Sequence, residues 1–363
     1  MNKRLIIFLK KDSSFRNWDE AGILDREVSL YERLRDRGIK ISFVSYGNFD
    51  DLHYQKRLFG MEILCNRWSL PNRVYVKLLH RLHGNIIRSC HIIKTNQMNG
   101  ADIALRCSLY WNKPLIARCG WMISFNQSEE FGYHSNQARS SRSLEEKVFS
   151  HAKFSVVTTD LMLKNVVERL PQLKNKICVI PNYVDEEIFF PEIKFKMKYD
   201  VIFVGRLSPE KNIESLLFGL DEKNIKLLII GQGPLEALVL KYRNKNKIQG
   251  EINWIKKISN SYLPQYYNSS RIFILPSLYE NHPKTLIEAM SCGMPVIGAD
   301  SPGIREIIDH GVNGYLCGTD PLSIRLAIEK LLNNPALCES LGKNARQYAL
   351  DNFSLNRIIE MEY

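Results

Sequence analysis

Two basic side chains follow a buried run near the middle of the chain. In DVIFVGRLSPEKN (200–212), Arg206 comes directly after an apolar run that ends at Gly205, and Lys211 stands where the next helix begins. Because both would lie at the carboxyl end of a strand, they could reach one anion, the arginine as a planar fork for phosphate oxygens and the lysine as a point charge. Two solvated surface cations would give the same spacing, and the spacing alone slightly favours that simpler interpretation.

Two glutamates lie farther along, in LPSLYENHPKTLIEAMSCGMPVIGAD (275–300), which predicts a strand, a loop, a helix and a strand. Glu280 is in the loop, and Glu288 is about one turn into a helix that begins near Lys284. A carboxylate only accepts hydrogen bonds, and paired sugar hydroxyls are good donors to it. The loop from Asn281 to Thr285 would deliver backbone N–H groups to a helix N-terminus, where a phosphate is stabilised. One loop and helix could therefore hold a hydroxyl-rich ring and a phosphate together.

A pair of surface glutamates is the simpler interpretation of that segment. Against it, Glu288 stands among Leu286, Ile287 and Ala289, where the helical pattern calls for an apolar residue. A carboxylate on a partly buried face needs a partner, because burial alone is costly.

Other familiar site patterns are incomplete. Gly231-Gln232-Gly233 begins like a dinucleotide-binding loop, but Glu236 stands where the third glycine would be. We therefore predict a tight strand–helix turn there and no nicotinamide or flavin. No D-x-D, H-E-x-x-H or C-x-x-C pattern occurs, and His80 with His83 falls two ligands short of a metal site.

Composition and charge narrow the class of protein. The 363 residues are 45% hydrophobic, enough for a sizeable core and suggestive of about two domains. Residues 1–200 hold 32 basic and 22 acidic residues, whereas 201–363 are nearly balanced, so the first half suits a negative partner. No run approaches the roughly 18 apolar residues of a membrane span. Eight scattered cysteines without an export signal favour a reduced, cytosolic location.

Short apolar runs alternate with helical periodicity, which predicts a parallel-sheet α/β architecture in each half. The predicted strands are Arg4–Lys10, Ile41–Ser45, Ile103–Arg106, Pro114–Cys119, Phe154–Thr158, Ile177–Ile180, Asp200–Gly205, Lys226–Gly231, Arg271–Leu275 and Pro295–Ala299. The predicted helices are Gly22–Arg37, Leu161–Leu170, Asn212–Leu220, Pro234–Asn244, Lys284–Ser291, Gly303–His310 and the whole of 321–350. Residues 186–200 carry many charges and a proline without a clear period, and they predict a linker. Ligands of such sheets bind outside the carboxyl ends of the strands, so a cleft between two domains is the expected site.

A basic segment lies in the first half. Residues 67–118 contain nine Lys or Arg and one acid, Asp102, and residues 73–94 mix cations with Val, Leu and Ile at helical spacing. A basic amphipathic helix suits an anionic membrane surface. A packed helix with a solvated basic face fits equally well, and Gly84 would weaken a continuous helix. Nucleic acid is not expected, because no recognition motif or aromatic-lined basic groove is present.

Four segments together resemble the group 1 (family four) retaining glycosyltransferases of the GT-B fold. They are VIPNYVDEEIFFP (179–191), VGRLSPEKN, LLIIGQGP and LPSLYENHPKTLIEAMSCGMPVI, and Glu280 with Glu288 matches the family's E-x7-E pair. The resemblance covers 155–345 closely and the rest loosely. It implies an α/β GT-B fold of two Rossmann-like parallel-sheet domains facing a central cleft. Residues 1–190 would be an N-terminal acceptor-binding domain, 191–347 a C-terminal donor domain, and 348–363 a helix that returns to the N-terminal domain.

The resemblance also implies site residues. Arg206 and Lys211, beside Gly205, would bind the donor diphosphate, Glu288 would hold the ribose hydroxyls, and Glu280 would face the donor sugar. Arg206, Lys211 and Glu280 would carry the reaction. The rest of the donor site would be a base-contacting stretch and a loop, namely Trp254, Ile255, Lys256, Asn281, His282, Pro283, Lys284, Thr285 and Leu286. No metal or other cofactor is implied, because the two cations take the metal's place, and no protein base is assigned.

The first half departs from the family pattern in two places. The loop after the first strand, 10–22, has Gly22 as its only glycine where the family is often glycine-rich. Cys119-Gly120 stands where the family often has His-Gly. Gly22, Cys119 and Gly120 are therefore the acceptor-side candidates, and the family's histidine has no counterpart.

We thus expect a cytoplasmic enzyme that transfers a sugar from a nucleotide-diphosphate donor to a glycan or lipid-linked hydroxyl with retention. Its setting would be cell-envelope polysaccharide synthesis, such as capsule or lipopolysaccharide, and 67–118 would contact the anionic inner face of the membrane. The open alternatives are a nucleotide-sugar epimerase of the same fold and a non-catalytic sugar-nucleotide-binding subunit.

Overall fold

Two compact units make up the chain. The computed structural model describes residues 3–192, 194–221, 223–244 and 250–363. One unit consists of Met1–Pro181 with Met361–Tyr363, and the other of Asn182–Glu360. Each unit is built on one parallel sheet. Position 193 of the predicted linker lies outside the described residues.

The first unit has the strand order β3-β2-β1-β4-β5-β6-β7. Its strands are β1 (Arg4–Phe8), β2 (Lys40–Asn48), β3 (Glu62–Asn66), β4 (Ile92–Thr95), β5 (Leu115–Cys119), β6 (Phe154–Val157) and β7 (Ile177–Val179). Its helices are α1 (Phe15–Glu20), α2 (Leu24–Asp36), α3 (Asn72–Leu82), α4 (Gly84–Ser89), α5 (Ala101–Trp111), α6 (Ile123–Phe131), α7 (Asn136–His151) and α8 (Asp160–Arg169). Short 3-10 segments lie at Phe49–Leu58 and Pro171–Leu173.

The second unit has the strand order β10-β9-β8-β11-β12-β13. Its strands are β8 (Tyr199–Val204), β9 (Leu227–Ile230), β10 (Ile252–Ile255), β11 (Ser270–Leu275), β12 (Val296–Ala299) and β13 (Tyr315–Cys317). The helices that follow β8 are α9 (Ile213–Gly219), α10 (Glu236–Asn244), α11 (Leu263–Tyr267), α12 (Lys284–Ser291), α13 (Pro321–Leu332), α14 (Pro335–Phe353) and α15 (Leu355–Glu362). Short 3-10 segments lie at Pro209–Lys211 and Asn260–Tyr262. In the described part of the chain, no helix is both long enough and apolar enough to span a bilayer.

Each sheet reverses its strand order once, and the reversal determines where a ligand can bind. In the second unit β8 pairs with β9 on one side and with β11 on the other. The loops that leave β8 and β11 therefore diverge, and a crevice opens between them outside the carboxyl ends of the strands. The neighbours at the corresponding point of the first unit are β1 and β4.

The division between the units falls at Pro181/Asn182, earlier than the predicted 190/191. Val184 forms a parallel bridge with Ser354 and is hydrogen-bonded through its backbone to Phe353, and Phe189 lies in the core of the second unit. The first part of the predicted linker 186–200 is thus packed into the second unit. At the other end, residues 348–363 are the end of α14 and a separate α15, and Met361–Tyr363 are grouped with the first unit.

Two predictions in the first unit are wrong. Ile103–Arg106 belongs to helix α5 and not to a strand, because a four-residue apolar run does not distinguish a strand from a buried helix segment. Residues 73–94 are not one helix: α3 and α4 are separated at His83, and β4 follows. A side chain at Gly84 would meet Trp111 at 2.8 Å, so the glycine here allows a close approach.

In the second unit, the predicted helix Gly303–His310 is a series of turns. Its buried Ile304, Ile307 and Ile308 have helical spacing, but Gly303 adopts a φ of +81° and directs the chain out of the helical course. Residues 321–350 form two helices, because Asn334 caps the start of α14 with its side chain.

The first unit buries two cations on neighbouring strands around a single carboxylate. Lys94 of β4 forms an ion pair with Glu362, and Nη1 of Arg118 on β5 lies 3.3 Å from the other oxygen of Glu362. The three side chains are 2%, 8% and 5% exposed. Burial alone would raise the pKa of the Glu362 carboxyl, but Lys94 and Arg118 outweigh burial and hold that pKa below its ordinary value. The Glu362 carboxylate therefore supplies counter-charge to both cations.

Glu362→Gln should lower the free energy of unfolding at neutral pH by about 3–5 kcal/mol, because it removes the carboxylate that pairs with the buried Lys94 and Arg118. Since the folded-state pKa of Glu362 lies below the unfolded one, its contribution is complete above the unfolded pKa. That contribution is lost as the pH falls through the folded pKa. Urea unfolding of both proteins at several pH values should show the difference shrinking in acid. Glu339→Gln, at an exposed position of α14, is the control. A loss for Glu362→Gln no larger than that of the control would contradict the role of the buried cluster.

Candidate functional site

An ion pair joins the loops that follow β8 and β11. Lys211 stands in the 3-10 turn after β8, and its ammonium contacts Oε1 of Glu280, which lies in the loop after β11. The Lys211 side chain is 16% exposed and that of Glu280 only 3% exposed. Ser277 donates a second hydrogen bond to Oε1 of Glu280 at 2.8 Å. The strand reversal thus brings together two residues that are far apart in the sequence.

Arg206 has different surroundings from Lys211. Its side chain is exposed, and no described contact joins it to the Lys211–Glu280 ion pair. The spacing in the sequence predicts two equivalent cations for one anion. The structure instead shows one cation already neutralised by an internal carboxylate and one facing solvent.

Asn212 fixes the spacing of the two loops. It adopts a φ of +55°, and its side-chain amide donates to the carbonyls of Pro276 at 3.1 Å and Thr319 at 2.8 Å. Asparagine is one of the few residues that enter the left-handed region without large strain. The backbone N–H of Leu278 also donates to the carbonyl of Glu210 at 2.9 Å. Sequence reasoning missed Asn212 and Ser277, although the asparagine directly after Lys211 was a visible turn signal.

Glu288 is buried in α12 and has the partners that its position requires. Its side chain accepts from the amide of Asn260 at 2.9 Å and from the hydroxyl of Tyr267 at 3.3 Å, and the residue is 1% exposed. Asn260 lies in a 3-10 turn and Tyr267 at the end of α11. The prediction that Glu288 is not a plain surface residue is confirmed, and its two partners are residues that the sequence did not reveal.

The start of α12 has no side-chain hydrogen bond from its N-cap residue, which is Pro283. The preceding loop is held in place because Asn182 donates to the carbonyl of His282 at 2.8 Å and the N–H of Glu280 donates to the carbonyl of Pro302 at 3.0 Å. The predicted loop residues Asn281 and His282 are buried, whereas Lys284 and Thr285 are half-buried. A helix N-terminus of this kind stabilises negative charge.

Gly231-Gln232-Gly233 is a tight turn packed on the loop after β8. A side chain at Gly231 would lie 1.8 Å from the carbonyl oxygen of Gly205, and one at Gly233 would lie 2.4 Å from that of Leu207. Trp254 donates from its indole to the carbonyl of Gly231 at 2.9 Å, and the ammonium of Lys256 lies 5.0 Å from the Trp254 ring centre. The predicted base-contacting stretch, with Ile255 ending β10, therefore lies beside the loop that carries Arg206.

Comparison with known proteins shows which families this sequence resembles. Residues 184–348 match the family model described as "Glycosyl transferases group 1". An uncharacterized glycosyltransferase of Haemophilus influenzae is 29% identical over 358 residues, covering 95% of this chain and 96% of that protein. N-acetyl-alpha-D-glucosaminyl L-malate synthase of Bacillus anthracis is 26% identical over 371 residues, covering 93% and 91%.

Residues 184–348 thus match the group 1 glycosyltransferases, and relatives along most of the chain are named as glycosyltransferases. Among solved structures, Anabaena HepE in complex with UDP and glucose aligns with a TM-score of 0.78 at 16% identity, over 99% of this chain and 98% of that chain. At that identity the likeness concerns the fold alone. It confirms the predicted GT-B class, with a parallel-sheet α/β unit in each half of the chain.

The acceptor-side candidates predicted from the sequence all lie in the first unit. Cys119 ends β5 and is fully buried, and Gly120 follows it with the amide of Gln97 near its Cα. Burial raises the pKa of the Cys119 thiol well above its ordinary value. The thiol therefore stays protonated and is no nucleophile at neutral pH. Gly22 follows α1 with a φ of +71°.

A buried carboxylate supports the loop that departs from the family's glycine-rich pattern. Asp51 accepts hydrogen bonds from the backbone N–H groups of Phe15 and Arg16, each at 3.2 Å, at the start of α1. Asp51 is 1% exposed, and a side chain at Gly47 would lie 2.4 Å from its carboxylate. The chain's own carboxylate thus occupies the anion position at this helix terminus. Asp51 was not identified from the sequence.

The loop that carries Glu280 depends on a glycine. Gly303 has a φ of +81°, and a side chain there would lie 2.3 Å from the carbonyl oxygen of Glu280. Gly303→Ala should lower the free energy of unfolding by about 2–4 kcal/mol, from left-handed strain together with the clash. Gly311→Ala is the matched control, because Gly311 has a φ of +79° and open space around it. Thermal and urea unfolding should show the larger loss for Gly303→Ala, and equal losses would mean that the loop moves aside freely.

Proposed function

We propose that this group 1 glycosyltransferase transfers a sugar from a nucleotide-diphosphate donor to an acceptor hydroxyl with retention of anomeric configuration. The observation that carries the proposal is the Lys211–Glu280 ion pair at the strand reversal of the second unit. A diphosphate needs cations and N–H donors, and this part of the second unit offers Lys211, the exposed Arg206 and the uncapped start of α12.

The ion pair would change partners when the donor binds. Diphosphate oxygens compete with Glu280 for the Lys211 ammonium, because both are anionic acceptors of charge-assisted hydrogen bonds. Glu280 keeps its bond from Ser277 and gains capacity to accept from hydroxyls of the donor sugar. Lys211 would thus bind the phosphate, and Glu280 would bind the sugar.

Glu288 is suited to the ribose. Each oxygen of an ionised carboxylate has about two acceptor sites. The bonds from Asn260 and Tyr267 orient the Glu288 carboxylate, and a pair of ribose hydroxyls would donate to it when the donor binds. Trp254, which is tied to Gly231, would provide an apolar surface for the base.

Retention is proposed without a protein base. In the donor complex Glu280 would be occupied by Ser277 and by hydroxyls of the donor sugar, and the Cys119 thiol stays protonated, so neither is proposed as a base or nucleophile. The leaving phosphate would instead take the proton of the acceptor hydroxyl as that hydroxyl attacks on the same face. Lys211 and Arg206 would stabilise the charge that develops on the phosphate, in the place of a metal ion.

The acceptor is proposed to be a glycan or lipid-linked hydroxyl of cell-envelope polysaccharide synthesis, reached from the cytoplasmic side of the membrane. The support is the excess of basic residues in the first 200 positions, which suits an anionic or membrane-bound acceptor. Uridine diphosphate is the first nucleotide to test, because the similar HepE structure is a complex with UDP.

Lys211→Ala should weaken donor binding by roughly 10- to 100-fold, the effect of losing a charge-assisted contact. Calorimetric titration with uridine, guanosine, adenosine and cytidine diphosphates and their sugars, with a chelator present, measures this. Lys223→Ala is the matched control, because Lys223 forms a surface ion pair with Glu329 in the same unit at 2.8 Å. We expect the control to bind as wild type does. Unchanged affinity in Lys211→Ala, or binding that needs a divalent metal, would contradict the proposed site.

Glu288→Ala should reduce turnover of the preferred donor by roughly 10- to 100-fold. The substitution removes the proposed ribose contact and the hydrogen bonds that Glu288 accepts from Asn260 and Tyr267. Glu329→Ala, which removes a half-buried carboxylate of a surface ion pair, is the control. Nuclear magnetic resonance of the products reports the anomeric configuration. An epimerised nucleotide sugar formed without acceptor would favour the epimerase, and absence of any turnover with intact donor binding would favour a non-catalytic subunit.

A further inference from the structure

We propose that one face of the first unit docks on an anionic lipid bilayer. The docking face consists of the outward side of α3 and the exposed aromatic and aliphatic residues beside it, namely Trp68, Arg73, Val74, Lys77, Leu78, Arg81, Leu109 and Tyr110. This proposal names the surface that would contact the membrane. It rests on the proposed function only for its biological setting.

The orientation of α3 separates its side chains into two groups. Tyr75 and Leu79 are fully buried in the core of the first unit. The exposed positions 73, 74, 77, 78 and 81 fall within an arc of about 140° on the opposite side, at 3.6 residues per turn. The apolar side of α3 is therefore used by the core, and what it presents to solvent is a basic stripe with Val74 and Leu78 along one edge.

The charge of the docking face is uncompensated. Within the described residues, none of Arg73, Lys77 and Arg81 is in an ion pair, and residues 63–101 contain no acid. The nearby Asp12 accepts from Asn72, and Glu62 is 3.8 Å from Arg4. Three cations on successive turns of one helix match a surface of anionic head groups.

Large aromatic side chains pack beside the cations. Tyr110 is 52% exposed, and its ring lies 4.6 Å from that of His80 on α3. Trp68 is 41% exposed, and its ring lies 5.2 Å from that of the buried His83. The indole of Trp111 donates to the carbonyl of His80 at 2.7 Å and fixes α5 against α3. Exposed indole and phenol rings next to cations are the side chains that favour the membrane–water interface.

The docking face contains only three of the nine cations in the basic segment 67–118. Lys94 and Arg118 are buried with Glu362, and Arg106 donates to the carbonyl of Val76, so these cations do not meet a ligand at this surface. Arg73, Lys77 and Arg81 form a compact patch on α3 with Val74 and Leu78 along one edge. A bilayer interface accommodates that combination, since head groups meet the cations while the rings reach the acyl boundary.

Binding of the full chain to vesicles of phosphatidylcholine, with and without phosphatidylglycerol, tests the proposal. The combined variant Arg73→Glu, Lys77→Glu and Arg81→Glu should lower the partition coefficient on anionic vesicles by roughly 100-fold or more. The matched control is Lys164→Glu, Lys174→Glu and Lys176→Glu, which makes the same change in net charge at exposed positions of the same unit. We expect the control to lose less than about tenfold, because only the long-range field changes.

A second variant separates insertion from charge. Val74→Ser with Leu78→Ser should leave the salt dependence intact and weaken binding several-fold at high salt, where apolar contact dominates. Equal losses in the two charge-reversal variants, or no binding of wild type to anionic vesicles at low salt, would overturn the docking face. Binding to a DNA or RNA duplex that depends on the same three cations, without vesicle binding, would assign the surface to nucleic acid instead.

The same proteins separate this proposal from the proposed function. Donor binding measured by calorimetry should be unchanged in the Arg73, Lys77 and Arg81 variant. Normal vesicle binding by a wild-type protein that binds no nucleotide sugar would contradict the proposed function alone, whereas normal donor binding without vesicle binding would contradict only the docking face.

Discussion

The ion pair between Lys211 and Glu280 holds together the loops that leave the carboxyl ends of β8 and β11. Glu280 is almost wholly buried, and an unpaired carboxylate in that position would cost several kcal/mol. The pairing in turn requires the strand order in which β8 and β11 are neighbours, the left-handed Asn212 between the loops and the glycine at 303 behind Glu280. The proposed site for an anionic ligand is thus built on an ion pair in which Lys211 and Glu280 already neutralise each other when no ligand is bound.

The first unit uses the same principle with other residues. Asp51 accepts from the first N–H groups of α1, and Glu362 neutralises Lys94 and Arg118. In each case a buried charge is compensated by an element distant in sequence. These contacts fix the course of the loops and strands. Their charges are compensated inside the first unit. Charge that could meet a ligand lies instead on the outside of the first unit, as on α3.

The sequence was informative where a residue's requirement is local. The helix Lys284–Ser291 and the strands β8, β9 and β11 were predicted within about two residues, because continuous apolar runs and helical periodicity report burial directly. The burial of Glu288 also followed from its apolar neighbours. Its partners Asn260 and Tyr267 did not, since a side chain that donates from another turn or helix leaves no trace in local spacing. The same holds for the Lys211–Glu280 pair and for Asp51.

The failures have equally specific causes. Ile103–Arg106 was too short an apolar run to distinguish a strand from a helix, and the isoleucines of 304–308 have helical spacing in a chain that Gly303 directs into turns. Residues 73–94 mixed cations and aliphatic residues so evenly that the change from helix to strand was hidden. Lys94 was counted among the surface cations there, although it lies in a central strand.

The pairing of Lys94 with Glu362 has a consequence for how the protein is made. The two residues are separated by 268 positions. At about 5–20 residues per second, a ribosome needs roughly 13–54 seconds to travel from one to the other. During that interval β4 carries a lysine destined for the interior with no counter-ion yet synthesised. The N-terminal sheet therefore cannot reach its final electrostatic state until Glu362 has been synthesised, long after its strands have emerged.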